Sequence, residues 1–509
     1  MNFRLTKGNF LKTGAYIEGD SAVFTFAAEK EDECSIVLLD KSGNTACELD
    51  IPSEYSTGSL YSVRLHGFCG NEYAYYFRIN GKRCIDPYAT RIFGREKWND
   101  KTRSDNDYEI ACGIDSSDFD WKYDSFPEIT RDRMKLYKLH VRGFSMDVSG
   151  DKKHKGTFEA VSDRINYIKK LGFTSILLMP VYEFEEMTIP VKHDIPEYAK
   201  PKYSLKDEQS VHTENDKVNF WGYTSGNYFA VKASYASDAS DASNELRRLV
   251  ERLHKNGMEC IVEMYFPDRT DHNLILDALR YWVMSFHVDG FKLLGDRLPV
   301  TAIVQDALLS RTKILYDGFD MSVVPQNRTY ENLYIDKEEY QFAARMMLNH
   351  INCNMYELLN QQKKQGENVG FINYISSNNG FTLSDLFMYN DRHNEANGEK
   401  NADGPSWNFS NNYGCEGPSR KRFIREIRKL KWKDAMLLLF LAQGVPMIMA
   451  GDEICNSQDG NNNAYCQDNP TGWVNWSNEH SRRENIRFLT RLIKFRDEHP
   501  VISCPKPFK

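Results

Sequence analysis

Residues 371–404 read FINYISSNNGFTLSDLFMYNDRHNEANGEKNADG, and residues 444–476 read GVPMIMAGDEICNSQDGNNNAYCQDNPTGWVNW. Each stretch opens on a short apolar run, residues 370–375 in one and 446–450 in the other, and passes at once into long polar sequence. A buried parallel strand that empties into a loop has this form. Outward from these two, six more short apolar runs follow Met134, at residues 135–141, 175–180, 259–265, 290–294, 313–316 and 332–335. Helical patterns with apolar residues at three and four spacing lie between them, as in residues 158–170, 242–255 and 274–286. Eight strands alternating with helices predict a closed (β/α)8 barrel.

Upstream the rhythm is different. Residues 22–27, 34–39, 60–65 and 73–79 are rich in β-branched and aromatic residues and are separated by Gly, Asn and Ser, which predicts a small antiparallel sandwich. The expected organisation is an N-terminal β-sandwich over residues 1–95, a polar connector over 96–132, a barrel over 133–500 and a stub over 501–509. A last helix is expected over residues 479–499.

A chain of 509 residues suits several domains, and 41% hydrophobic content supports large cores. The formal net charge of −7 argues against nucleic acid or an anionic membrane as partner. No run reaches the roughly 18 apolar residues of a membrane helix, and the N-terminus has no secretory h-region. Eleven cysteines scattered from Cys34 to Cys504, with no CxxC, suit reduced thiols in a cytoplasm better than disulfides or zinc. No metal and no organic cofactor is implied.

Both opening stretches resemble the glycogen-debranching, isoamylase and pullulanase branch of glycoside hydrolase family 13. So do YKLHVRGFS from Tyr137, KGTFEAV from Lys155, LLMPVYEF from Leu177, FWGYTSGNYFAV from Phe220 and DGPSWNFSNNYGCEGP from Asp403. YYFRINGKRCIDPYAT, from Tyr75, resembles the close of a carbohydrate-binding module 48. The resemblance implies α/β architecture, with a TIM barrel after that module and a C-terminal β-sandwich that is absent or truncated here.

Retaining glycosidases use two carboxyl groups about 5–5.5 Å apart. The resemblance puts the nucleophile on strand four, where GFKLLGD offers Leu294, with Lys292 in place of an arginine. The general acid, a Glu in relatives, falls at Asp317 in KILYDGFD, one methylene shorter; an Asp there can equally cap the next turn. The His-Asp pair of strand seven becomes Asn378-Asn379, so the charge that steadies the transition state is lost from Asn379. Strand three ends EMYFPD, which gives Glu263, Pro267 and Asp268 at the motif positions, and PDRTDH is a short loop where relatives carry a longer one. Glu263 and Lys292 are expected to pair. Asp296 shares strand parity with Leu294, about 6.6 Å further along.

Sugar contacts implied by the resemblance are Tyr223, whose ring either stacks on glucose or packs the barrel mouth, together with Tyr182, Arg142, Lys292, Asn378, Asn379 and Asp268. Trp407 and Asn408 are placed to reach an outer glucose. Glu453 and the NNNAYCQDN run are expected to hold the strand-eight loop. The chain thus reads as a catalytically silent relative that binds α-glucan (glycogen, starch or a branched maltooligosaccharide) or steadies an active debranching homologue. The alternatives are an active α-1,6-glucosidase and a decaying gene product.

Overall fold

The computed structural model describes residues 3–68, 72–102, 110–115, 118–148, 154–187, 217–319, 331–366 and 368–504. Two antiparallel sheets form the N-terminal unit. One runs Arg4–Lys7, Leu60–His66, Ser21–Ala27, Gly14–Glu18; the other runs Arg91–Phe93, Ala111–Gly113, Ala74–Ile79, Cys34–Leu39, Thr45–Ile51. Their inner faces meet through Phe24, Phe26, Tyr61, Tyr75 and Phe77, with Phe26 stacked on Phe77 at 4.0 Å. Ala111–Gly113 lies in the stretch expected as connector, and Cys112 and Ile114 belong to this core. Three residues are too few to display a strand's period of two.

The eight expected barrel strands form and close. In order they are Leu136–Leu139, Ser175–Leu178, Glu259–Tyr265, Gly290–Leu294, Lys313–Leu315, Leu333–Asp336, Gly370–Asn373 and Val445–Met449. All pair in parallel, and they are called strands one to eight below. Leu136, Leu177, Ile261, Leu315, Tyr334, Ile372 and Val445 fill the middle of the barrel as one apolar cluster. Because side chains alternate along a strand, the residues two positions further on point inward one layer higher. That layer holds Lys138, Glu263 and Asp336.

Helix Ala242–Lys255 forms as expected, burying Leu246, Leu249, Val250 and Leu253 against the barrel. Helix His272–Phe286 is capped by Asp271, whose carboxylate accepts from the amides of Asn273 and Leu274. Only residues 266–271 join it to strand three, so little backbone stands over the mouth on that side. The helix expected over 158–170 is broken into Phe158–Asp163 and Ile165–Leu171. At Arg164 the backbone N–H turns back to Val161, while the guanidinium pairs with Glu479 at 3.0 Å and lies 4.2 Å over Trp476. The last helix is Arg483–Glu498, after the short turn Asn478–Ser481. Pro500–Ser503 is a helical turn, and residues 505–509 of the expected stub lie outside the described residues.

Candidate functional site

The layer above the apolar core is a network of opposite charges. Lys138 Nζ on strand one lies 2.7 Å from Glu263 Oε1 on strand three and donates to Asn378 Oδ1 at 2.7 Å. The Tyr223 hydroxyl donates to Glu263 Oε2 at 2.5 Å. Lys292 on strand four pairs closely with Asp336 on strand six and stands 3.9 Å from Glu263. The expected Glu263–Lys292 pair is therefore a secondary contact: each residue has a nearer partner of opposite charge. Glu263 is fully buried and Lys138 nearly so. A buried charge left alone is costly, so each charge here holds the other in place.

Burial works against both ammonium groups, with different results. It holds Lys138 below the usual lysine range, although Glu263 opposes it. At Lys292, Asp336 and then Glu263 outweigh burial and lift the group above that range, so Lys292 stays charged.

Leu294 stands at the end of strand four, half-buried against a cluster of Met179, Phe220, Trp221, Tyr223, Ala464 and Tyr465. Strand four ends there. Gly295 has φ +128°, and a Cβ on it would lie 2.0 Å from the Phe266 carbonyl, so only glycine fits. The turn carries Asp296 out into solvent, and strand parity with Leu294 does not extend to it. Asp317 is also exposed. Its charge is felt at Lys292, and Asp317 and Asp296 both act on the Tyr316 hydroxyl, which burial and their charges raise.

Several expected sugar contacts are otherwise engaged. Tyr182 is wholly buried, its hydroxyl 2.8 Å from the Thr224 carbonyl and 3.1 Å from that of Gly222, which fixes a turn rather than facing the mouth. Arg142 Nε donates to both oxygens of Asp468 at 3.0 Å. Asp268 is exposed, 3.9 Å from the still more exposed Arg297, and has no part in the network. Tyr223 is buried, with its hydroxyl committed to Glu263. Asn379 is half-buried beside Asn378, and Trp407 is 60% exposed.

Residues 374–421 and 450–477 make the loops after strands seven and eight. They are locked by buried amides: Asn397 and Asn463 both donate to Asp403 Oδ2, at 2.8 and 2.9 Å, and Asn394 donates to Asn462 Oδ1 at 2.8 Å. The Asn462 carbonyl accepts from Gly380 N at 2.9 Å, which ties this lattice to the Asn378-Asn379 corner. Glu453 is buried and accepts from the Tyr137 and Tyr167 hydroxyls; burial pushes its carboxyl up to about 7. The reading of the NNNAYCQDN run and of Glu453 as loop supports agrees with these contacts.

Sequence reasoning passed over Lys138 and Asp336. A signal was present: each is a charged residue in or ending an otherwise apolar strand, and such a residue needs a partner on the same inward face. Among the described residues, no group of three or more His, Cys, Asp or Glu side chains is arranged to hold a metal ion.

The fold is a closed (β/α)8 barrel preceded by an antiparallel N-terminal sandwich, the architecture of the pullulanases and amylases. The family description "Alpha amylase, catalytic domain" matches residues 148–272. Isoamylase 1 of Arabidopsis thaliana chloroplasts is 28% identical over 91% of this chain and 71% of its own length. The glycogen debranching enzyme of Enterobacter sp. (strain 638) is 27% identical over 98% of this chain and 86% of its own. A crystal structure of pullulanase from Paenibacillus barengoltzii superposes with a TM-score of 0.70, covering 97% of this chain and 81% of that one; at 17% identity it speaks to the fold. The chain is thus similar to the isoamylases and glycogen debranching enzymes in sequence and to the pullulanases in fold.

Proposed function

We propose that this chain binds α-glucan at the C-terminal end of its barrel without hydrolysing it. The observation that carries the reading is Leu294: the nucleophile's position holds an isobutyl group packed against aromatics. Beneath it, the inward carboxylates Glu263 and Asp336 are each paired with a lysine. Among the described residues the carboxylate left without a lysine partner near that level is Asp317, exposed just past strand five, and one carboxylate does not make the pair that glycosidase chemistry requires.

What remains suits recognition of a neutral sugar. Asn379, half-buried beside Asn378, offers polar contacts, and Trp407 offers a ring face. Tyr223 serves by packing the mouth. Pullulanases of this fold have been solved with maltotetraose and maltohexaose bound, which supports a glucan as the ligand class. The N-terminal sandwich reads as a carbohydrate-binding module 48 that adds a second glucan contact. An active debranching homologue is the partner such a binder would serve. Free thiols at all described cysteines favour the cytoplasm, and no described helix is long and apolar enough to cross a membrane.

One observation favours activity as a second reading: Asp317, at the general-acid position, and Asp296, two residues past the nucleophile's, are both exposed and both act on Tyr316. Equilibrium titration of the full chain with glycogen and with maltoheptaose tests the main reading. Saturable binding supports it. No binding to either glucan sinks it.

A further inference from the structure

We propose that Glu399, Asp403 and Asn463 form a cation site that ties the loop after strand seven to the loop after strand eight, and that it takes a hard divalent ion of the calcium kind. None of the three belongs to the ion-pair network of the barrel mouth.

Five carboxylates of these two loops are buried: Asp385, Glu399, Asp403, Asp452 and Glu453. In three of them both oxygens are occupied. Asp385 accepts from the Ser457 hydroxyl and the Gln458 amide. Asp452 accepts from the Ser376 hydroxyl and from the amides of Leu383 and Met449. Glu453 accepts from two tyrosine hydroxyls and the Gly451 amide. Glu399 and Asp403 differ. Glu399 Oε2 and Asp403 Oδ1 have no hydrogen-bond partner, and neither has Asn463 Oδ1. All three side chains are buried, Glu399 at 3% exposure and the other two at 0%. A bare buried acceptor is costly, and three of them grouped together call for a shared partner.

Local structure groups them. The Ala402 N–H donates to the Glu399 carbonyl at 2.9 Å, and Lys400 and Asn401 between them are both left-handed, with φ +51° and +59°. The chain therefore doubles back between Glu399 and Asp403. From the facing run, Asn463 Nδ2 donates to Asp403 Oδ2 at 2.9 Å, which sets Oδ1, on the same amide carbon, beside that carboxylate. Tyr465, two residues on, donates its hydroxyl to Glu399 Oε1 at 2.9 Å. The charge of Glu399 is felt at Asp403, and both charges are felt at the Cys466 thiol.

The donor set chooses the ion. All three bare atoms are oxygens, two carboxylate and one amide, which suits calcium and not the nitrogen and sulfur preferences of zinc or copper. The third donor is an amide rather than a third acid, so the grouping differs from the clusters of His, Cys, Asp or Glu considered above. Charge agrees. Lys217 pairs with Glu399 through Oε1, whereas the donors to Asp403 are the neutral amides of Asn397 and Asn463. Among the described residues no lysine or arginine pairs with Asp403, so one buried negative charge asks for a cation. Magnesium keeps several waters in a strict octahedron, which a site this buried admits poorly.

The full chain, treated with EDTA and dialysed, is titrated with calcium chloride by calorimetry beside its Glu399→Gln and Asp403→Asn variants, and melting is followed with and without calcium. The expected result is saturable binding of about one ion per chain, with a rise in melting temperature that EDTA reverses. Both variants should bind at least tenfold more weakly and lose that rise. E399Q keeps an acceptor for Tyr465, so it carries the comparison if D403N fails to fold. Wild-type protein with no saturable calcium binding overturns the proposal, as does calcium binding that a folded E399Q retains in full.

Discussion

Lys138 and Glu263 are separated by 125 residues in sequence and meet with 2.7 Å between Nζ and Oε1, across strand two, in the inward layer above the apolar core of the barrel. With Lys292 and Asp336 beside them, the inward charges of that level cancel in pairs. Filling a barrel mouth with paired charges keeps the fold and removes the unbalanced field that a glycosidase turns on its substrate.

Removing one member of a buried pair strands the other. Lys138→Met is expected to cost about 3–5 kcal/mol because it leaves Glu263 buried and uncompensated. Lys138→Met combined with Glu263→Leu should lose less than the sum of the two single changes. Chemical denaturation at neutral pH measures the cycle. Additive losses would show that the two groups do not interact. Lys292→Met should also destabilise, through Asp336 first and Glu263 second.

The turn after strand four is predicted to be intolerant of any side chain. Gly295→Ala places a methyl group 2.0 Å from the Phe266 carbonyl at φ +128°, so a loss of at least about 2 kcal/mol is expected. Thermal unfolding of the variant checks it. A neutral result would mean that this turn is soft and that Asp296 has freedom to swing inward.

Stability should fall with rising pH through the Glu453 titration. Burial raises its carboxyl from 4.5 to about 7, so between those values the folded protein holds a proton that the unfolded chain has lost. Folded-state proton excess makes stability decline as pH rises across that window, by up to about 3 kcal/mol for this group. Glu453→Gln keeps an acceptor for Tyr137 and Tyr167 and removes the titration. Its melting temperature should therefore depend less on pH between about 5 and 7 than that of the wild type. Parallel curves would count against the assignment.

Much of this architecture is legible without coordinates. Six of the eight barrel strands lie inside the apolar runs read from sequence, and Leu333–Asp336 and Val445–Met449 overrun theirs by one residue, because a strand buried on both faces must be apolar and must end where the chain turns polar. The reading of Leu294, Asn378 and Asn379 as substituted positions rests on the motifs around them and is put to the test by the assay below. The Lys138–Glu263 contact is not: pairing across strand two depends on barrel closure and stagger, which no local pattern records. Asp296 was misjudged by extending strand parity through Gly295, whose left-handed backbone ends the alternation. Tyr182 looked available because its hydroxyl's partners, the carbonyls of Gly222 and Thr224, are about forty residues away.

The central claim, that the mouth is chemically silent, is tested most directly by assaying new reducing ends. The full chain at micromolar concentration is incubated for a day with pullulan and with branched glycogen, beside a heat-inactivated control. The account predicts no release above the control from either polymer. Release that disappears in Asp317→Ala or Asp296→Ala would contradict it and show that these carboxylates still cleave α-glucan.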